Sequence, residues 1–220
     1  MRAPKTKTDL RQEQIAEAAL ALISRCGMAG ISVANVAKEV GVVTSAIYRH
    51  YRGKDEILDS VVDLLGQRFV GIVQAVRADE SEPLERLHQL FLRHLELIRS
   101  NAGFPRVVLS DEMFSGQPRR RQKMHAILRT YLSEVALLVR EGQANGRFQT
   151  DLDPDAVSVM FLGLIQPAVI LWLISSGKFD LDKHADHAWR LFCTMLQPAG
   201  ARSVNPPPAG ARKGQSGAGK

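Results

Sequence analysis

The residues with the clearest chemical meaning lie within the segment 31–51. Two short helical stretches, 33–40 and about 44–51, flank a turn that contains Gly41. Ser32 stands directly before the first stretch, where a hydroxyl is a good helix cap. In a unit of this kind the first helix crosses the DNA backbone, and the second lies in the major groove with its amino-terminal residues at the base edges. The pattern therefore predicts a DNA-reading module.

Helical elements must position this module, because helical periodicity dominates the chain and alternating strand patterns are nearly absent. A helix at 9–26 precedes the module and a long helix at 54–77 follows it. Pro167 should kink a later helix, since a proline inside a helix removes a hydrogen bond. The fold class is therefore all-α, with an N-terminal three-helix helix-turn-helix domain and a second helical domain. The remaining helices are predicted at about 83–101, 105–114, 117–145, 155–176 and 182–197.

Charge is unevenly distributed along the chain, whose net charge is +6. Residues 1–58 hold nine basic and six acidic side chains, 59–197 hold sixteen and seventeen, and 198–220 hold four and none. Basic ends on a nearly neutral body suggest a polyanionic partner, with solubility as the alternative. We predict four segments: a flexible basic arm at 1–8, a DNA-binding domain at 9–58, a helical domain at 59–197 and a disordered basic tail at 198–220.

No arrangement of residues indicates catalysis or a metal site. Cys26 and Cys193 are far apart in sequence, so neither a disulfide framework nor a zinc site has support. His184 and His187, with aspartates nearby, are interpreted as solvated groups at a helix start. Because no nucleophile elbow or phosphate loop is present either, we expect a protein that is not an enzyme and needs no cofactor.

Nothing in the sequence indicates secretion or a membrane. The most apolar run, 159–174, is interrupted by Gln166 and Pro167. The amino terminus lacks the apolar block of a secretory signal. We therefore expect a cytoplasmic protein that makes no membrane contact.

The segment resembles the helix-turn-helix of the TetR family of bacterial transcriptional regulators. The similarity covers roughly residues 9–62. It rests on matched residues in the family's order and spacing: Ser32, Val36-Ala37, Gly41-Val42, Ile47-Tyr48, His50-Tyr51 and Lys54-Asp55-Glu56.

The resemblance implies two kinds of DNA contact. Phosphates are expected to be held by Ser32, Tyr48, His50 and Lys54. The base-reading positions are Thr44, Ser45 and Arg49, of which Arg49 has the reach for a bidentate contact with guanine.

Val43 is the main departure from the family pattern. Family members usually have serine or threonine at this position. The helix cap and phosphate contact expected there must come from Thr44 or be absent. Ser45 also replaces a frequent glycine, so the operator sequence cannot be inferred by analogy.

The resemblance further implies a helical domain for dimerisation and ligand binding, in which the last two long helices of each subunit form a four-helix bundle. The apolar helix 155–176 and the stripe of Trp189, Phe192 and Leu196 suit that role. A homodimer then requires a roughly palindromic operator with half-sites about 34 Å apart, or a multiple of that spacing.

A mostly apolar effector pocket is expected in the second domain, although core or interface packing is the favoured interpretation of each candidate residue taken singly. Gln166 is the most informative candidate, because a buried amide beside the Pro167 kink needs partners that a ligand or water can supply. The basic run 119–123 could attract an anion, but a solvated helix start is the favoured interpretation. The pocket candidates are Phe91, Leu95, Met113, Phe114, His125, Leu128, Tyr131, Phe161, Gln166 and Trp172.

The sequence thus predicts a homodimeric, sequence-specific DNA-binding regulator. Its favoured form is a repressor released by a small apolar or amphipathic effector, which must bind one conformation better than the other. The alternative is a DNA-binding interaction protein of the same fold that has no small-molecule response.

Overall fold

The computed structural model describes residues 7–79 and 81–198, and all regular structure within them is helical. The all-α prediction is confirmed. Residues 199–220 of the predicted tail and 1–6 of the predicted arm lie outside the described residues, whereas Lys7 and Thr8 belong to the first helix rather than to a flexible arm. A single 3₁₀ turn, Met28–Gly30, follows the first of the α-helices, which are α1 (Lys7–Cys26), α2 (Val33–Val40), α3 (Thr44–Tyr48), α4 (Lys54–Arg77), α5 (Pro83–Ser100), α6 (Gly103–Val108), α7 (Asp111–Phe114), α8 (Pro118–Ala144), α9 (Pro154–Gly163), α10 (Gln166–Ile174) and α11 (Leu181–Leu196).

The chain divides into two units, which are described separately. The first comprises Met1–Glu80 and Arg93–Glu134, and the second comprises Ser81–Leu92 and Val135–Lys220. Helices α5 and α8 each contribute residues to both units.

Glycines and a capping serine mark the ends of the first helices. Gly27 follows α1 with φ of 69°, a left-handed conformation that glycine adopts without strain. The Ser32 hydroxyl oxygen accepts a hydrogen bond from the Asn35 amide at 3.1 Å, so the predicted cap of α2 is confirmed. Gly41 ends α2 in the left-handed region. These signals explain why α2 forms where the sequence predicts it, whereas α3 begins as predicted but ends at Tyr48 instead of at about residue 51.

Apolar packing holds α1, α2 and α3 together. The side chains that close this core are each less than 2% exposed, and burial of one of its isoleucine or valine side chains contributes about 1.5–3 kcal/mol. Tyr51 is also buried, and its hydroxyl donates to the Gln12 carbonyl of α1 at 3.2 Å. The core residues are Ile15, Ala19, Ile23, Val36 and Ile47.

Helix α4 begins and ends as predicted, and it continues the same unit. Its buried face packs against α1, which α6 also approaches closely. A Cβ atom on Gly103, the first residue of α6, would lie 2.5 Å from the Leu20 carbonyl oxygen of α1. Only glycine permits that approach. The buried residues of α4 include Ile57, Val61, Leu65, Phe69 and Val73.

The predicted single helix 155–176 is in fact two helices in the second unit. Helix α9 starts at Pro154 behind the capping Asp153, and the helix is interrupted at 164–165 before α10 begins. Leu164 and Ile165 keep right-handed helical dihedrals, and the Leu164 amide still donates to the Met160 carbonyl four residues earlier. Pro167 has no amide hydrogen to donate to the carbonyl four residues before it. The interruption just before Pro167 is consistent with the predicted kink.

The stretch Pro154–Ile174 is apolar enough to cross a membrane by length and composition alone, with a mean hydropathy of 2.3. The interruptions at Gln166 and Pro167 therefore do not suffice to exclude a span. Only a third of its most apolar window is buried within the chain. The bulky side chains left exposed are Val159, Met160, Ile170, Leu171 and Ile174, and Leu191 of α11 adds to them.

Candidate functional site

The surface of α3 presents most of the residues predicted to contact DNA. Thr44, Ser45 and Arg49 are exposed, whereas Ile47 between them turns inward and is 1% exposed. Tyr48 is also exposed, at 57%, in contrast to the buried Tyr51. The helix is thus anchored by one apolar face and shows hydrogen-bonding side chains on the other.

Val43 precedes α3, and its side chain is 70% exposed. No side chain caps α3 at this position, so the alternative in which the family's cap is simply absent is the observed one. The α3 amides at the helix start are left without a side-chain partner. The exposed methyl groups of Val43 replace the usual hydroxyl.

Three further predicted contacts lie around α3. Ser32 is half-buried and uses its hydroxyl oxygen as the cap of α2, which leaves its hydrogen free to donate. His50 is half-buried just after α3. Lys54 begins α4, and its Nζ lies 3.3 Å from Glu112 Oε1 of α7. The ammonium group of Lys54 therefore already has a carboxylate partner within the unit.

Arg120 of α8 is the most unexpected feature of this region. Its side chain is only 2% exposed, and its Nε donates to Asp59 Oδ1 at 2.8 Å. Its Nη2 donates to Asp55 Oδ1 at 2.9 Å and to the Asp55 carbonyl at 3.0 Å. The interpretation of 119–123 as a solvated helix start is wrong for Arg120. A buried guanidinium holds the first two turns of α4.

A second ion pair extends this contact along α4. Lys123 Nζ of α8 lies 2.7 Å from Asp63 Oδ2. Asp55, Asp59 and Asp63 are spaced four residues apart and therefore share one face of α4. We call these three aspartates with Arg120 and Lys123 the α4–α8 ladder.

The ten pocket candidates are distributed over both units. In the first unit Leu95, Met113 and Tyr131 are buried, Leu128 is half-buried, and Phe114 and His125 are exposed. In the second unit the rings of Phe91 and Phe161 are buried, with centroids 6.2 Å apart, whereas Gln166 and Trp172 are half-buried.

One of these candidates, Tyr131, belongs to a buried polar pair that sequence reasoning missed. His94 Nδ1 of α5 lies 3.0 Å from the hydroxyl of Tyr131 of α8, and both side chains are buried. Burial lowers the pKa of His94 to about 3 and raises the pKa of Tyr131, so both groups are neutral at physiological pH. A histidine on the otherwise apolar stripe of α5 was the signal available in the sequence.

A second histidine lies against an indole in the second unit. His88 stacks on Trp189 with centroids 4.7 Å apart, and burial lowers the pKa of this histidine. Its Nε2, the Trp189 Nε1 and Asp186 Oδ1 are buried without hydrogen-bond partners among the described residues. Leaving such an atom unpaired costs about 1–3 kcal/mol.

Two family models match the chain. One, described as bacterial regulatory proteins of the tetR family, matches residues 15–61. The other, described as the C-terminal region of YsiA-like proteins, matches residues 63–195. The chain belongs to the TetR family. As a TetR-family protein it is a DNA-binding transcriptional regulator with a helix-turn-helix, and the resemblance seen in the sequence is confirmed.

Several TetR-family relatives align with most of the chain. The fatty acid metabolism regulator protein of Bacillus subtilis is 26% identical over 168 residues, which is 76% of this chain and 86% of that protein. The nucleoid occlusion factor SlmA of Photobacterium profundum is 22% identical over 190 residues, which is 86% of this chain and 97% of SlmA. The crystal structure of Bacillus subtilis FadR in complex with stearoyl-CoA shares the fold, with a TM-score of 0.71 at 24% identity, and covers 84% of this chain and 99% of FadR.

Replacement of Arg120 tests the ladder of this TetR-family protein. Arg120→Met leaves the Asp55 and Asp59 carboxylates without their guanidinium, so we expect a loss of about 2–3 kcal/mol in the free energy of unfolding. The estimate is at the low end because Asp55 is largely exposed. Urea unfolding followed by circular dichroism measures it. Arg119→Met, at an exposed neighbour, is the matched control, and equal stability of the two variants would contradict the assignment.

Proposed function

We propose that this protein is a homodimeric repressor that binds a roughly palindromic operator and releases it when a long-chain acyl effector binds. The observation that carries the DNA-binding part is the surface of α3, where exposed polar side chains stand over the buried Ile47. The effector class rests on similarity to the fatty acid metabolism regulator and to FadR, which was crystallised with stearoyl-CoA. An acyl-CoA is an amphipathic ligand of the kind that the sequence predicts.

The phosphate contacts in this proposal come from groups on either side of α3. Ser32 donates through its hydroxyl, Tyr48 and His50 donate from the end of α3, and Lys54 adds a charge. These contacts set the register of the protein on the duplex without reading sequence. To contact a phosphate, the Lys54 ammonium group must leave the Glu112 carboxylate or interact with both groups at once.

The base contacts come from the first turn of α3 and from the residue that follows the helix. Arg49 reads guanine with two hydrogen bonds, whereas Thr44 and Ser45 can contact any base and therefore discriminate little. Val43 offers methyl groups to a thymine methyl, a contact that serine or threonine at this position makes less fully. Sequence preference in this protein therefore depends mainly on Arg49.

The dimer is proposed to form through α9, α10 and α11, within the helical domain 59–197. These helices expose an apolar set that includes Met160, Leu171, Ile174 and Leu191. Large apolar side chains exposed on helices that contact one another are typical of an interface when they form one surface. A two-fold dimer brings the same patch of each subunit together, so every contact between the patches occurs twice.

The α4–α8 ladder supplies a route from effector to operator. Arg120 and Lys123 tie α8 to the helix whose first residue is Lys54. A ligand that shifts α8 must either carry the start of α4 with it or break buried hydrogen bonds. We therefore propose that the effector acts by displacing α4.

The location that we propose for the regulator is the cytoplasm, at the nucleoid.

A second candidate function is a DNA-binding interaction protein without small-molecule induction. The similarity to SlmA, which extends over 97% of that factor's length, favours it. The two candidates differ in one measurable property, because only the first couples ligand binding to DNA release.

The division of labour on DNA predicts different effects of two alanine variants. Arg49→Ala should weaken operator binding by about 1–3 kcal/mol and relax the preference at one base position. Lys54→Ala should weaken operator and unrelated DNA equally, and reduce the salt slope of log Kd by about one unit. Fluorescence anisotropy over a range of salt concentrations measures both effects. Identical behaviour of the two variants would show that the assignment is wrong.

The effector class predicts release of DNA by an acyl-CoA. Stearoyl-CoA titrated into the complex with the chain's own upstream intergenic DNA should weaken binding at least fivefold, the lower end of typical allosteric coupling. Coenzyme A without the acyl chain is the control and should leave binding unchanged. Operator binding that is insensitive to stearoyl-CoA and to shorter acyl-CoAs would favour the interaction-protein alternative.

A further inference from the structure

The His94 side chain has a buried ring nitrogen that lacks a hydrogen-bond partner among the described residues. The side chain is 0% exposed, and its Nδ1 is engaged with the Tyr131 hydroxyl at 3.0 Å. Its other ring nitrogen, Nε2, has no hydrogen-bond partner among the described residues. Phenylalanines at both 94 and 131 would fill a similar space without a buried ring nitrogen that lacks a partner, so packing alone does not explain the histidine.

The surroundings of His94 are aromatic and apolar. The ring of Phe69 meets His94 edge-on at 5.0 Å and meets Phe104 at 4.9 Å. Tyr131 completes the group, with its ring 5.3 Å from His94. One polar atom among apolar rings is the composition of a site that binds a mostly apolar molecule and orients it by a single polar group. All four residues belong to the first unit.

The charge state of the pair limits what this polar group can be. A neutral imidazole in buried surroundings offers no cation to a carboxylate, whose own desolvation would be uncompensated. We assign the tautomer in which the Tyr131 hydroxyl, the more acidic of the two groups, donates to Nδ1. The ring proton is then on Nε2, which donates. The matching partner is an uncharged oxygen that accepts one hydrogen bond.

We infer that His94 Nε2 anchors the effector by donating to an uncharged carbonyl oxygen, as in an ester, thioester, amide or ketone on an apolar chain. This inference rests on the proposed function, in which an effector binds the helical domain, and it assigns the polar contact of that effector. It also predicts selection against the free fatty acid. In an acyl-CoA, the thioester carbonyl is the group that His94 would hold.

The test uses three probes that share a nine-carbon chain: nonan-2-one, nonane and nonanoate. For the full-length protein, binding measured by the shift in melting temperature and by calorimetry should favour the ketone about tenfold over the alkane and over the carboxylate. The double variant His94→Phe/Tyr131→Phe replaces both polar partners by rings of the same shape. It should keep its melting temperature and its affinity for DNA, and lose the tenfold preference.

His187→Phe, at an exposed histidine of α11, is the control and should behave as the wild type does. If the wild-type protein shows no preference for the ketone, or if the double variant retains it, the inference is overturned. A ketone preference that the double variant loses, in a protein that ignores stearoyl-CoA, would support the anchor and reject only the acyl-CoA proposal. Should stearoyl-CoA release DNA from wild type and double variant alike, the regulator is acyl-responsive but His94 is not its anchor.

Discussion

The burial of one guanidinium, that of Arg120, constrains the region that joins the DNA-reading helices to the rest of their unit. A buried arginine is tolerated only when its donors are satisfied, because removing its charge from water is costly. Here Asp55, Asp59 and a carbonyl of the first turn of α4 meet that requirement. The start of α4, and with it Lys54, therefore has one favoured position relative to α8.

Buried polar groups in the DNA-reading helices have hydrogen-bond partners, whereas some buried polar atoms of α5 and α11 have none among the described residues. In the reading head the Ser32 cap and the Tyr51 hydroxyl are paired, and the helices are fixed by apolar packing. His94 and His88 instead leave a ring nitrogen unpaired in buried surroundings. A buried polar atom without a partner calls for a specific explanation, such as a water molecule or a functional role. The proposed effector contact of His94 supplies one for this atom.

Local sequence signals predict the first helices of the chain, α1 to α4, but they do not predict contacts between residues that are distant in sequence. Caps, glycines and an apolar stripe act within a few residues, so α2 and α4 are predicted with their observed bounds. The partners of Arg120 lie more than 60 residues away, and a run of basic residues does not show that one member is buried. The His94–Tyr131 pair is hidden for the same reason, since only the fold brings α5 and α8 together. Pro167 indicates that the helix 155–176 is disturbed, but not that the interruption lies at 164–165.

The most direct test of this account is a double-mutant cycle on operator affinity with Arg120→Met and Asp59→Asn. Neither residue is proposed to touch DNA, yet each change is expected to weaken operator binding, Arg120→Met by about tenfold. The combined variant is expected to bind no more weakly than Arg120→Met alone, because both changes remove the same contact. Unchanged affinity in all three variants, or fully additive losses, would contradict the claim that this contact sets the DNA-binding geometry of α4.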